Sequence, residues 1–193
     1  DKPITSASAR VIDGAGRTLM PGLIDCHVHV TFSQTNLGLL AGTPNTTLAY
    51  RAPPILCGML RRGFTTVRDV GGNVFGLKQA VDEGVVPGPR IYPSGAMISV
   101  TSGHGDFRPA SDLPRRQGAP GAVGDKDGDS AIADSPDEVR MRVREQLMRG
   151  AAHIKLTAGG GVSSPHSPLD VVTFTPAELR AATEAAGNWG TYV

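Results

Sequence analysis

Short β-like runs alternate with longer helix-like segments from Ala9 to the end of this 193-residue chain, and that alternation constrains its fold more than any other feature. Strands are expected over 23–30 (LIDCHVHV), 65–71 (TTVRDVG), 90–100 (RIYPSGAMISV) and 153–161 (HIKLTAGGG), and a fifth begins at 191. Helices are expected over 46–62 and 76–83, then in SPDEVRMRVREQLMRG and TPAELRAATEAAG. Ser135 caps the third helix, with Pro136 at its first position and Glu138 three residues after the cap; Thr175 and Pro176 open the fourth in the same way. Pro53 and Pro54 weaken the first half of the 46–62 helix, because proline inside a helix removes a donor and clashes with the preceding turn. Pro93 predicts a bulge or a strand end. Residues 101–134 read as a long polar, glycine-rich loop, a length that is usually functional or mobile. Four βα units and the start of a fifth strand fit either an open doubly wound sheet or part of a closed barrel. No GxGxxG follows the first strand, so the dinucleotide-binding form of the open sheet is not supported.

The length suits one domain. Nineteen basic and 18 acidic side chains nearly cancel, so no strong field exists to recruit nucleic acid or an anionic membrane surface, and the expected partner is a small molecule. No run of about 18 apolar residues could span a bilayer. Cys26 and Cys57 lack CxxC spacing and are expected to be buried free thiols. The opening DKPITSASARVIDGAGRTLMPG starts in the middle of strand and turn chemistry without an initiator Met, so the true N-terminus is expected to be missing.

Two of the chain's five histidines fall one residue apart. Successive side chains of an extended strand alternate faces, so His27 and His29 are expected on one face, with Asp25 below them and Ile24 and Val28 opposite. Two imidazoles one strand repeat apart, at the C-terminal end of a strand, suit a metal ion and suit equally a polar patch at a strand end. Lys155 ends another strand, where a lysine must reach solvent, pair with a carboxylate or lose its charge. Pairing is the commoner solution. Reaction with carbon dioxide is another, and gives a carbamate able to bridge two divalent cations. His153 faces the same way one layer deeper and is expected to be packed or to support the ligands from behind. Asp25 and Arg68 are expected to pair structurally across neighbouring strands, and His166 to lie on the surface.

Taken together, LMPGLIDCHVHV, GFTTVRDVGG, SGHGD and HIKLTAGGG resemble the amidohydrolase superfamily, in particular its prolidase-like, imidazolonepropionase-related branch of metal-dependent hydrolases. The likeness runs from about Val11 to Val193. PGxxDxHxH is specific for the superfamily, whereas the lysine strand and the GHGD loop point less firmly to the branch. The resemblance implies an α/β fold: a partial (β/α)8 TIM barrel in 22–193, comprising the first four βα units and the start of the fifth strand, with a remnant of a small N-terminal β-sandwich in 1–21. It implies a hydrolase acting on carbon–nitrogen bonds, with an amide substrate that is peptide-like or an N-acyl amino acid, attacked by a hydroxide bridging two divalent ions of zinc type. His27 and His29 would hold the first ion, Lys155 carboxylated by carbon dioxide would bridge both, and His104 and Asp106 would line the substrate pocket.

The family's proton-carrying aspartate and the second ion's two histidines are expected beyond residue 193, since a full barrel takes roughly 250 residues. The chain therefore reads as an internal fragment, itself inactive, of a cytoplasmic parent that forms a homo-oligomer. Two further readings stay open: an inactive barrel fragment that serves only as a weak metal-binding or interaction module, and a mononuclear imidazolonepropionase-like cyclic amidohydrolase, which would lack the lysine bridge.

Overall fold

The computed structural model describes residues 7–33, 39–40, 42–112 and 123–193. Strands β1 (Leu23–Val28), β2 (Phe64–Asp69) and β3 (Arg90–Pro93) form a parallel sheet in that order, connected through helices α1 (Asn45–Arg61) and α2 (Phe75–Asp82). This is the βα alternation expected from the sequence. Helix α1 runs its full 17 residues through Pro53 and Pro54. Leu48, Ala52 and Leu56, four residues apart, are buried in one stripe, and their packing outweighs the hydrogen bonds the prolines forgo.

The expected third strand is two. Pro93 has no N–H to continue the ladder, so β3 ends there, and β4 (Met97–Ser99) begins after a break and pairs in parallel with β5 (Ser130–Ile132). Strand β5 and the short helix α3 (Val123–Asp127) lie within the stretch expected to be a structureless loop; residues 113–122 of it are outside the described residues, as are 1–6 and 34–38. The expected strand over 153–161 reduces to two isolated bridges, a parallel one between Ile98 and Leu156 and an antiparallel one between Gly159 and Val172. Ile98 N–H donates to Lys155 O at 2.9 Å, and Thr157 N–H donates to Ile98 O at 3.0 Å. The glycine run that follows has no side chains to sustain a longer ladder. Beyond it, Ile154 N–H donates to Tyr192 O at 2.9 Å, so residues 191–193 lie alongside this segment as a next strand would.

Two helices cover the second half. In α4 (Pro136–Met148), the Ser135 hydroxyl accepts Glu138 N–H as the sequence implied; α5 (Pro176–Gly187) carries a complete capping box between Thr175 and Glu178. Small side chains at Ala181, Ala182, Ala185 and Ala186 bury one face of α5 in a core with Ile98, Ala131, Val139, Val143, Ile154 and Phe174. A second core, of Val28, Val30, Leu56, Val67, Val74 and Ile91, lies under α1 and α2. Thr175→Ala removes the hydroxyl of the box and is expected to lower unfolding free energy by about 1 kcal/mol in urea titrations. An unchanged midpoint would mean that packing alone holds α5.

Residues 7–22 form turns and exposed coil. Both cysteines are free, but Cys26 is exposed and Cys57 half-buried, against the expectation of two buried thiols. No described helix is long and apolar enough to cross a membrane.

Candidate functional site

His27 lies near the end of β1 and His29 just past it, and their placement depends on an irregularity in that strand. The register with β2 slips between Asp25 and Val28, which takes residues 26 and 27 out of the regular ladder. The backbone groups concerned are taken up by side chains: Arg68 Nε donates to Cys26 O at 2.8 Å, and Asp25 Oδ1 accepts His27 N–H at 3.0 Å. Asp25 and Arg68 therefore do not pair as expected; each is occupied by the bulge. The His27 and His29 rings end 5.6 Å apart, with His27 exposed and His29 half-buried against Phe32.

One fully buried carboxylate, unnoticed in the sequence, organises the floor. Asp69 at the end of β2 accepts Val30 N–H on Oδ2 at 2.7 Å and Gly71 N–H on Oδ1 at 3.2 Å, which clamps the end of β1 to the end of β2. Burial pushes its pKa up to about 7, although both backbone donors favour the charged form. The clamp sets Gly71 O to accept from His29 Nδ1 at 2.9 Å. A Cβ at Gly71 would lie 2.5 Å from Met97 Cγ and 3.1 Å from His29 Cε1, so only glycine fits between them. With Nδ1 donating to a carbonyl, His29 keeps Nε2 as its free lone pair, the arrangement of a metal-ligating imidazole.

Lys155 is half-buried and near enough to affect both histidines. Among the described residues no carboxylate pairs with it, so the commoner solution for a lysine at such a place is not the one found. Burial lowers its pKa, and Arg68 lowers it further. Burial lowers those of His27, His29 and His104 as well, with Lys155 adding to each. His153 is buried, stacks on Tyr192 at 5.7 Å and is pushed down to about 4 by burial and then by Arg68 and Lys155. It is the packed histidine expected. The shared direction favours neutral imidazoles and a free amine, the forms that bind metal and carbon dioxide.

The GHGD loop divides its two candidates. His104 is half-buried, with Nδ1 3.1 Å from Ser164 Oγ. Asp106 is buried and held by Arg108, whose Nε and Nη2 reach its two oxygens at 2.8 and 2.6 Å, and Ser102 N–H adds a bond at 2.8 Å. Burial would raise the Asp106 pKa, but Arg108 and the backbone donors hold it below the usual value. Its carboxylate is thus committed to the loop. It borders, with Arg108 and His166, an open cleft of about 290 Å³. His166 is exposed, as expected.

The profile of the Amidohydrolase family matches residues 18–193. This chain belongs to the amidohydrolase family. An ochratoxinase from Aspergillus niger is 36% identical over 181 residues, covering 88% of this chain and 37% of that protein. A crystal structure of a prolidase complexed with N-methylphosphonate-L-proline superposes with a TM-score of 0.91 at 45% identity, covering all of this chain and 46% of the prolidase. A Xaa-Pro dipeptidase with bound methionine in the active site gives a TM-score of 0.73 at 32% identity, over 90% of this chain and 42% of its own. The chain thus spans less than half the length of each of these relatives.

Among the described residues no group of three or more His, Cys, Asp and Glu side chains is gathered to hold an ion. Two neutral imidazoles, one oriented through Gly71 O, and an unpaired lysine amine nevertheless make a donor set that fits an ion in part, since four donors complete the usual zinc site.

Proposed function

We propose that the full-length protein hydrolyses an amide bond in a peptide-like or N-acyl amino acid substrate, and that 22–193 form the first four βα units and the start of the fifth strand of its (β/α)8 barrel, preceded by a lead-in in 1–21. The observation that carries the reaction is Lys155, half-buried near the His27–His29 pair with no carboxylate partner among the described residues. The order of parallel strands and the prolidase likeness over the whole chain support the architecture. A prolidase, an ochratoxinase and a Xaa-Pro dipeptidase among the relatives support a substrate with an amide bond.

His27 and His29 would hold one divalent ion, of zinc type, and Lys155 as its carbamate would bridge it to a second. Such ions supply a Lewis acid that polarises a carbonyl and lowers the pKa of water. The chain's own residues do the rest of what can be derived. Asp69 and Gly71 fix the His29 ring so that Nε2, and not Nδ1, is offered. Arg68 and Asp25 hold the bulge that sets His27. Burial lowers the Lys155 pKa and so raises the share of free amine, the form that adds to carbon dioxide. His104 lines the substrate pocket, while Asp106 shapes the loop that carries it.

Lys155→Ala tests the bridge. Metal content of the protein, measured after dialysis against zinc, is expected to fall, and added bicarbonate should not restore it. Unchanged metal content would make Lys155 structural and the binuclear reading wrong.

A further inference from the structure

We infer that Ser164 is a positioning residue that fixes the tautomer of His104, so that the imidazole carries its proton on Nε2; the inference rests on reading His104 as part of the substrate pocket. His104 belongs to the loop after β4 and Ser164 to the loop after residues 152–157. These loops interlock. Ser102 Oγ donates to His166 O at 2.8 Å between them, and within the second loop Gly161 N–H donates to Ser167 Oγ at 3.2 Å. A Cβ on Gly161 would lie 2.0 Å from His104 Nδ1, so only glycine lets the ring come this close to that backbone.

The proton follows from the bonds of one hydroxyl. Ser164 is buried, and its Oγ accepts Gly105 N–H at 2.8 Å. A serine hydroxyl has one proton, and a buried one left without an acceptor is costly. Among the described residues, the other group within hydrogen-bonding distance of Ser164 Oγ is His104 Nδ1, at 3.1 Å. If Nδ1 carried the proton, two donors would point at Oγ and its own hydrogen would have no acceptor among the described residues. Oγ–H therefore donates to Nδ1, and the neutral ring is protonated at Nε2. Burial, with Lys155 nearby, favours that neutral ring. An imidazole held in this way is a fixed hydrogen-bond donor at Nε2, suited to a carboxylate or carbonyl oxygen and unsuited to an ammonium group. The selection falls on the oxygen end of a substrate.

Long-range proton–nitrogen NMR of the protein labelled with ¹⁵N-histidine reads this directly, with the His104 signals assigned by their loss in His104→Gln. Near pH 7.5 the expected spectrum shows His104 protonated at Nε2 and unprotonated at Nδ1, and Ser164→Ala shifts it to a mixture of both tautomers. A proton on Nδ1 in the wild-type protein overturns the inference, and so does an unchanged tautomer in folded Ser164→Ala. The wild-type spectrum decides even where the variant fails to fold. It is also independent of the proposed reaction: an Nε2 proton in a protein without hydrolase activity supports the Ser164 pairing and removes only the reading of the chemistry.

Discussion

Asp69→Ala is expected to lower the unfolding free energy by about 2–6 kcal/mol, since each buried backbone group left without a partner costs about 1–3 kcal/mol and the substitution strips the acceptor from both Val30 N–H and Gly71 N–H. Against a total stability of about 5–15 kcal/mol for a folded domain, that is a large fraction. The site suffers with the fold, because Gly71 O orients His29. Urea unfolding measures the loss. A change within about 0.5 kcal/mol, the range of ordinary surface substitutions, would mean that the clamp does not hold the strand ends.

The same carboxyl gives stability a pH dependence whose sign can be stated. Its pKa is about 7 in the folded protein and 3.8 in the unfolded chain, so between those values the folded state holds the extra proton. The Asp69 contribution is therefore fully present below about pH 4, is lost as pH rises toward 7 and is flat above it. His153 works the other way: with a folded pKa of about 4 against 6.5, it makes the protein more stable as pH rises through that interval. The two slopes oppose, so the difference between wild type and Asp69→Asn isolates the first. That difference should move in favour of the variant from pH 5 to pH 8.

In a protein that carries the whole barrel, His29→Ala is expected to reduce kcat/KM for amide hydrolysis by about a thousandfold or more. A metal ion contributes several kcal/mol of transition-state stabilisation, and each 1.4 kcal/mol is tenfold in rate. His29 is the better-oriented of the two imidazoles, because its Nδ1 is tied to Gly71 O while His27 is exposed. The loss should appear with little change in stability, which distinguishes it from the effect at Asp69. Activity that survives the substitution would sink the metal mechanism.

What the sequence made legible was the alternation itself, the caps at Ser135 and Thr175, the end of a strand at Pro93 and the two-histidine strand end. Each is written in local chemistry: a period, a missing N–H, a hydroxyl three residues before a glutamate. The parts that stayed hidden depend on pairs far apart in the chain. Asp69 reads as one acid among 18, and its role exists only because Val30 lies 39 residues earlier. Arg68 gave no sign that it would bond Cys26 O, since the bulge that exposes this carbonyl is a register slip between two strands. Helix α1 forms over the expected span, and what local chemistry could not show is that tertiary packing would carry it through two prolines. Asp106 carried the motif's position, but Arg108 two residues on, whose guanidinium holds it, went unread. Ser164 reaches His104 across 60 residues, and nothing nearby in the chain announces it.

The measurement that bears most directly on the central claim is zinc titration of the metal-free protein, with bound metal and hydrolysis of Xaa-Pro dipeptides and N-acyl amino acids followed together. Activity that is absent without metal and rises as zinc binds, to a plateau at two ions per complete barrel, is the predicted result. Hydrolysis that persists after exhaustive chelation would contradict the account.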